Sequence, residues 1–142
     1  MKIETGLQIQ RASSAAADEH SAVRELREQI RMAEFRLVLF FCSPAYNLDR
    51  LARELRAAFP EPIVGCTTAG QLDQHGYAHG GITAVALAGD LAAQPYVVSL
   101  DCWEADVRRI ASEIAAAKPD PLRRSFGLLL VDGLAMMEER LI

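Results

Sequence analysis

No surplus of basic residues runs through this chain: fifteen Lys and Arg stand against nineteen Asp and Glu, a formal net charge of -4. A phosphate backbone is bound through an excess of cations, so nucleic acid is excluded as an expected partner. No apolar run approaches the ~20 residues that cross a bilayer. Met1 to Gln10 alternates polar with apolar residues and so lacks the core of a signal peptide. Membrane insertion and export are both disfavoured. Cysteine is scarce. Cys42, Cys66 and Cys102 are an odd number at wide spacing, which suits reduced thiols in a cytoplasmic protein better than a disulfide framework or a zinc site. Also missing are a Gly-rich loop followed by Lys and Ser/Thr, a dinucleotide fingerprint, paired zinc ligands and a nucleophile elbow. No motif names a catalytic chemistry.

What is present reads as one α/β domain with a mixed, layered sheet flanked by helices. With 142 residues, 51% hydrophobic and 24% charged, the chain can bury a core of its own. Ile3, Thr5, Leu7 and Ile9 alternate with polar residues, predicting a half-buried strand with those four inward. Ser13 and Ser14 offer N-cap hydroxyls to a helix with Ala22, Val23, Leu26, Ile30 and Ala33 inward and Arg24 paired with Glu28 outside. Arg36 to Cys42 is a nearly continuous apolar run, as expected of a central strand covered on both faces. A second helix begins near Asn47, with Leu48, Leu51, Ala52, Leu55 and Phe59 on one face and Arg50, Arg53 and Arg56 on the other, until Pro60 and Pro62 stop it.

Ile63 and Val64 form a short strand ending in Gly65-Cys66, and Thr67 to Gly81 follows as a glycine-rich connection without helical periodicity. Ile82 to Ala88 and Pro95 to Leu100 read as two strands joined through Gly89-Asp90 as antiparallel neighbours. Asp101 is placed to cap a third helix with Val107, Ile110, Ala111 and Ile114 inward, broken at Lys118-Pro119-Asp120-Pro121. Phe126 to Val131 is a further apolar strand, followed by Asp132-Gly133 and a helix from Leu134. The chain ends within that helix, so residues 1–142 are expected to be the opening part of a domain incomplete at its C-terminal end.

In open α/β sheets, ligands gather beyond the carboxyl ends of strands, where backbone N–H groups and helix N-termini converge. Three such ends carry small polar residues: Cys42-Ser43, Gly65-Cys66-Thr67-Thr68-Ala69-Gly70, and Asp132 before Gly133. In the middle one, two glycines bracket a thiol and two hydroxyls. It is either a ligand-facing turn or a tight turn whose hydroxyls cap local backbone. Cys66 is a small buried residue or, given a base, a nucleophile; the chain's histidines are His20 at a helix start and His75 and His79 in the long connection, and no local signature pairs one with it. Tyr77 closes over a ligand or packs the connection onto the sheet. Asp132 caps the next helix or fixes a cation or ligand amine.

FCSPAYNLDRLARELRAAF from Phe41 through Phe59, then IVGCTTAGQL, Gly76-Tyr77 and FGLLLVDGL from Phe126, resemble the N-terminal part of the FIST domain family. The resemblance spans most of the chain. It implies a bacterial intracellular sensory domain that is not an enzyme and binds small ligands, amino acids among them. Its implied partners are signalling output proteins such as a histidine kinase or a cyclic-di-GMP enzyme. It marks Gly65 to Gly70, Gly76-Tyr77 and Asp132-Gly133 as family-typical positions, with Gln71 departing from the acidic residue expected in many relatives. Some similar members are haem-binding nitric oxide sensors. A haem here would take an axial ligand from His20, His75, His79, the cysteines, the methionines or Tyr46, Tyr77 and Tyr96. A cysteine-dependent enzyme built on Cys66 is the remaining alternative.

Overall fold

The computed structural model describes residues 6–60, 62–73, 75–101, 103–117 and 124–132. The chain divides into two compact units, Met1–Pro95 and Tyr96–Ile142. In the first, strand β1 (Gln8–Ser14) leads to helix α1 (Glu19–Gln29), strand β2 (Leu37–Cys42) and helix α2 (Leu48–Ala58). Strand β3 (Ile63–Thr67), the short pair β4 (Gln71–Asp73) and β5 (Gly76–Ala78), and strand β6 (Ile82–Ala88) follow. β1, β6, β2 and β3 form one sheet in that order, with β2 and β3 parallel and β6 antiparallel to both its neighbours. The sheet is mixed, as the sequence predicts.

Ser13 and Ser14 do not cap α1. They end β1, and the cap is Asp18, whose Oδ1 accepts from Ser21 N at 2.9 Å. Asp18 wins because its carboxylate also faces the positive end of the helix dipole. Ser14 turns inward instead, donating from Oγ to Glu25 Oε2 at 2.5 Å. The phase of β1 is likewise the reverse of the one predicted. Ala12 and Ser14 are buried, whereas Leu7 and Ile9 are 60% and 59% exposed; Ile3 and Thr5 lie outside the described residues. The inward face is the polar-looking one because its residues are short or useful. Gln10 Oε1 accepts from Arg31 N at 2.7 Å and Met32 N at 3.1 Å, satisfying backbone that the end of α1 leaves open.

Both helices lie on one face of the sheet. Their Ala22, Val23, Leu26, Leu51 and Leu55, with Ile30 and Phe59 at the helix ends, join Val38, Cys42 and the whole inward row of β6 in one buried cluster. Arg24 and Glu28 pair outside at 3.8 Å as expected, but Ala33 lies beyond the helix and is exposed. At the amino end of β2, Phe35 and Phe59 meet edge to face at 5.7 Å. The Arg27 guanidinium lies 5.9 and 6.0 Å from their ring centres while donating to the Ile30 carbonyl. β2 is central but is not covered equally on both sides. Val38 and Cys42 are buried under the helices, whereas Leu37, Leu39 and Phe41 on the opposite face are half-buried.

α2 is capped by Asn47, whose Oδ1 accepts from Arg50 N at 3.1 Å, and Leu51 and Leu55 are its buried stripe. Leu48, predicted inward, is 51% exposed because it sits on the first turn, at the rim of the helix-sheet contact. The parallel pair β2–β3 depends on Gly65: a Cβ there would stand 2.2 Å from the Phe40 carbonyl oxygen and 2.5 Å from its ring. The Phe40 side chain lies over the glycine in the space a Cβ would take.

The second unit holds helix α3 (Trp103–Ala116), with Glu104 and Asp106 in its first turn and none of its residues buried. Pro95 to Leu100 is not a strand, and β6 pairs with β1 and β2 instead. Val97 is 88% exposed; an apolar run becomes a strand only when its backbone finds a ladder partner. Phe126 to Val131 is irregular for the same reason, with Phe126 84% and Leu128 59% exposed. The helix expected from Leu134 lies outside the described residues. No helix among the described residues is long and apolar enough to cross a membrane.

Gly65→Ala is expected to lower stability by ~1–3 kcal/mol, because backbone must shift. Gly70→Ala, where a Cβ would meet the Tyr77 hydroxyl that can swing away, is expected to cost under ~1 kcal/mol. Urea midpoints compare them, and equal losses in the two variants would contradict this account of the β2–β3 pairing.

Candidate functional site

The carboxyl ends of β2 and β3 point the same way, and the chain sews them together there. Thr68 N donates to the Cys42 carbonyl at 2.8 Å, and Ser43 N donates to the Gly81 carbonyl at 2.9 Å, tying the start of β6 to the same corner. Ser43 is buried, and its Oγ accepts from Ala45 N at 3.2 Å, so its hydroxyl shapes the turn into α2.

Beside this corner, a cleft of about 200 Å³ opens between α2 and the edge strand β3. Leu48, Leu51, Ala52 and Leu55 of α2 form one wall. Phe40 and Cys42 of β2, with Gly65, Cys66 and Thr67 of β3, form the other. Four of the residues singled out from sequence, Cys42, Gly65, Cys66 and Thr67, therefore meet in one place. Thr67 is the exposed hydroxyl among them. Among the described residues no charged side chain lines the cleft.

Thr68, Ala69, Gly70 and Tyr77 belong to a different feature. The connection from Thr67 to Gly81, read from sequence as glycine-rich and without helical periodicity, contains the antiparallel pair β4–β5, with Leu72 opposite Tyr77. Sequence reasoning missed it because each strand is three residues long; Asp73 and Gly76 are the turn signal. Asp73 Oδ1 accepts from His75 N at 2.7 Å. That bond, aided by the Ser13 hydroxyl, holds the Asp73 carboxyl below its ordinary value. Gly76 has φ +118°. Tyr77 stacks on Gly70, whose missing Cβ leaves the space its hydroxyl occupies, and meets the His79 ring edge to face at 4.8 Å. Its ring packs the hairpin.

Gln71 clasps the base of this hairpin. It is buried, its Oε1 accepts from Thr68 Oγ1 at 3.3 Å, and its Nε2 donates to the Gly80 carbonyl at 2.6 Å. Both ends of its amide are used, so the departure from an acidic residue has a local cause: a carboxylate has no donor for Gly80. A smaller cleft of about 140 Å³, lined by Arg11, Ala12, Ser13, Leu72 and Asp73, lies between β1 and the hairpin. No sequence signal marked it. Asp132 belongs to the second unit.

The thiols are held neutral. Burial, with a smaller contribution from neighbouring Cys66, pushes Cys42 up to about 11, and burial also raises Cys66. A nucleophilic cysteine needs the opposite shift and a base, and no histidine lines the cleft. Among the described residues no histidine lines either cleft to offer a haem an axial ligand. His20 Nδ1 lies 3.0 Å from Glu54 Oε2 on the helix surface, while His75 and His79 are exposed and line neither cleft. A porphyrin exceeds the drug-sized molecules that need about 300–1,000 Å³. Among the described residues no three His, Cys, Asp or Glu side chains group to hold a metal.

The first unit is thus a mixed sheet with helices on one face and a small cleft at its parallel strand ends. Residues 36–142 match the model of the FIST N domain, and the chain belongs to that family, one of signal-transduction sensory domains. Comparison with curated proteins and with solved structures finds no match.

Two outcomes are expected here. Cys42 stays protonated in the folded protein above its ordinary value of 9.0, while the unfolded chain ionises; stability is therefore full below pH 9 and falls from pH 9 to about 11. Replacing Cys42 with Ala should flatten that limb by up to about 2 kcal/mol in pH-dependent urea unfolding, and an unchanged slope would refute the assignment. Gln71→Glu should cost ~1–3 kcal/mol at pH 7 and recover as pH falls toward about 4, because the buried carboxyl takes up its proton above the ordinary carboxyl range and so regains a donor. A penalty that does not vary with pH would show that the clasp is not what is lost.

Proposed function

We propose that this chain is the ligand-binding part of a sensory module, and that the cleft between α2 and β3 is its ligand site. The observation that carries the reading is the meeting of Cys42, Gly65, Cys66 and Thr67 against α2 at the carboxyl ends of two parallel strands. That is where open α/β sheets place ligands. The module works by binding and not by catalysis. Its bound state passes to a separate cytoplasmic output protein, such as a histidine kinase or a cyclic-di-GMP enzyme. Support for this part is membership of a signalling family and thiols held in their unreactive form. An amino-acid-like ligand is what the family resemblance implies. In this cleft its amine and carboxylate would meet no ionised side chain.

A thermal-shift screen of the chain against small metabolites tests the reading, because a ligand that prefers the folded state raises its apparent stability. A compound at a hundred times its Kd should add about 2.7 kcal/mol. Thr67→Val should cut that gain sharply while leaving the unliganded melting temperature in place, since Thr67 is exposed. A gain that persists undiminished in the variant would move the site away from this strand end.

A further inference from the structure

We propose that the cleft between α2 and β3 selects a compact, uncharged, largely apolar ligand of about the size of one substituted aromatic ring. The inference rests on the reading that this cleft is the ligand site, and adds the chemistry of what enters. Size comes first. At about 200 Å³ the cleft is smaller than the ~300–1,000 Å³ of drug-binding pockets. It is close to the ~150 Å³ apolar cavity that holds benzene in another protein.

Charge decides the class. Leu51 and Leu55 are each 2% exposed, and Phe40 lies over Gly65 across from them. Of the charges on α2, Arg50 lies 4.0 Å from Glu19 and Glu54 faces His20, while the exposed Arg53 and Arg56 are not among the residues that line the cleft. An ammonium or carboxylate entering here would leave water without gaining a counter-ion, a cost that an uncharged molecule of the same shape avoids. The Cys42 thiol on the helix-covered face reinforces this, since burial holds it protonated and it adds no anion. Thr67, exposed at the mouth, offers one hydroxyl to a single polar substituent.

The test uses three molecules of one shape, benzyl alcohol, benzoate and benzylamine, titrated into the whole chain at pH 7 by calorimetry with backbone amide NMR. Benzyl alcohol should bind at least about tenfold more tightly than either ion, because only the ions carry the desolvation cost. It should shift the amides of Gly65, Thr67 and Ala52. Ala52→Phe, which fills the cleft from α2, should abolish binding. Leu48→Ala, at the exposed rim where little of the fold depends on it, should weaken binding several-fold and serves if the larger substitution unfolds the chain. Benzoate or benzylamine binding as well as the alcohol would overturn the ligand class; if that binding is lost in Ala52→Phe, the cleft still stands as the ligand site. Benzyl alcohol binding unaltered in both variants overturns the inference. No binding by any of the three, together with no hit in the metabolite screen, overturns both the inference and the proposed site.

Discussion

The first unit depends on a row of small side chains. On the helix-covered face, beyond one larger Ile82, β6 presents Ala84, Ala86 and Ala88, and β1 beside it presents Ala12 and Ser14, all of them buried. A sheet this flat along one strip lets the bulk come from the other side. Leu26, Ile30, Leu51, Leu55 and Phe59, all fully buried, fill the space from the helix layer. Large against small is how two layers reach native packing density without voids. Larger residues on β6 would lift α1, and with it the ties that hold α2 beside β3.

The same row explains what sequence patterning could and could not show. α2 was legible because each of its signals is local: Asn47 at the cap, leucines at helical spacing, prolines after the end. β6 and β2 were legible as apolar runs. The face of β1 was not, since Leu7 and Ile9 look like the core and Gln10, Ala12 and Ser14 do not. Only the nearness of α1 gives those three inward positions their use, and nearness is a tertiary fact. Pro95 to Leu100 and Phe126 to Val131 failed for the complementary reason. Their composition suits a strand, but strands are made by partners, and composition does not report whether a partner is at hand.

Much of the family-typical turn serves the fold. Gly65 admits the Phe40 ring, Thr68 holds Gln71, Gly70 receives Tyr77, and Ser43 shapes the entry to α2. Sequence could not tell a hydroxyl that caps a turn from one left exposed, because the two look alike in a string of letters. In the structure Ser43 and Thr68 have local partners, while Thr67 is exposed at the cleft. Gln71 shows the converse. Its neutral amide is suited to a place where one atom must accept and the other donate.

The beginnings of the two helices are bound to each other. Tyr46 Oη donates to the Ala16 carbonyl at 2.5 Å, and Asn47 N donates to Glu19 Oε1 at 2.7 Å. The Glu19 carboxyl is held below its ordinary value chiefly by that N–H. His20 and Glu54 meet half a helix further along. α2 is thus one wall of the cleft and one arm of a coupled pair. Any force that pushes α2 away from the sheet therefore pulls against α1 as well, so the two helices resist displacement as one layer.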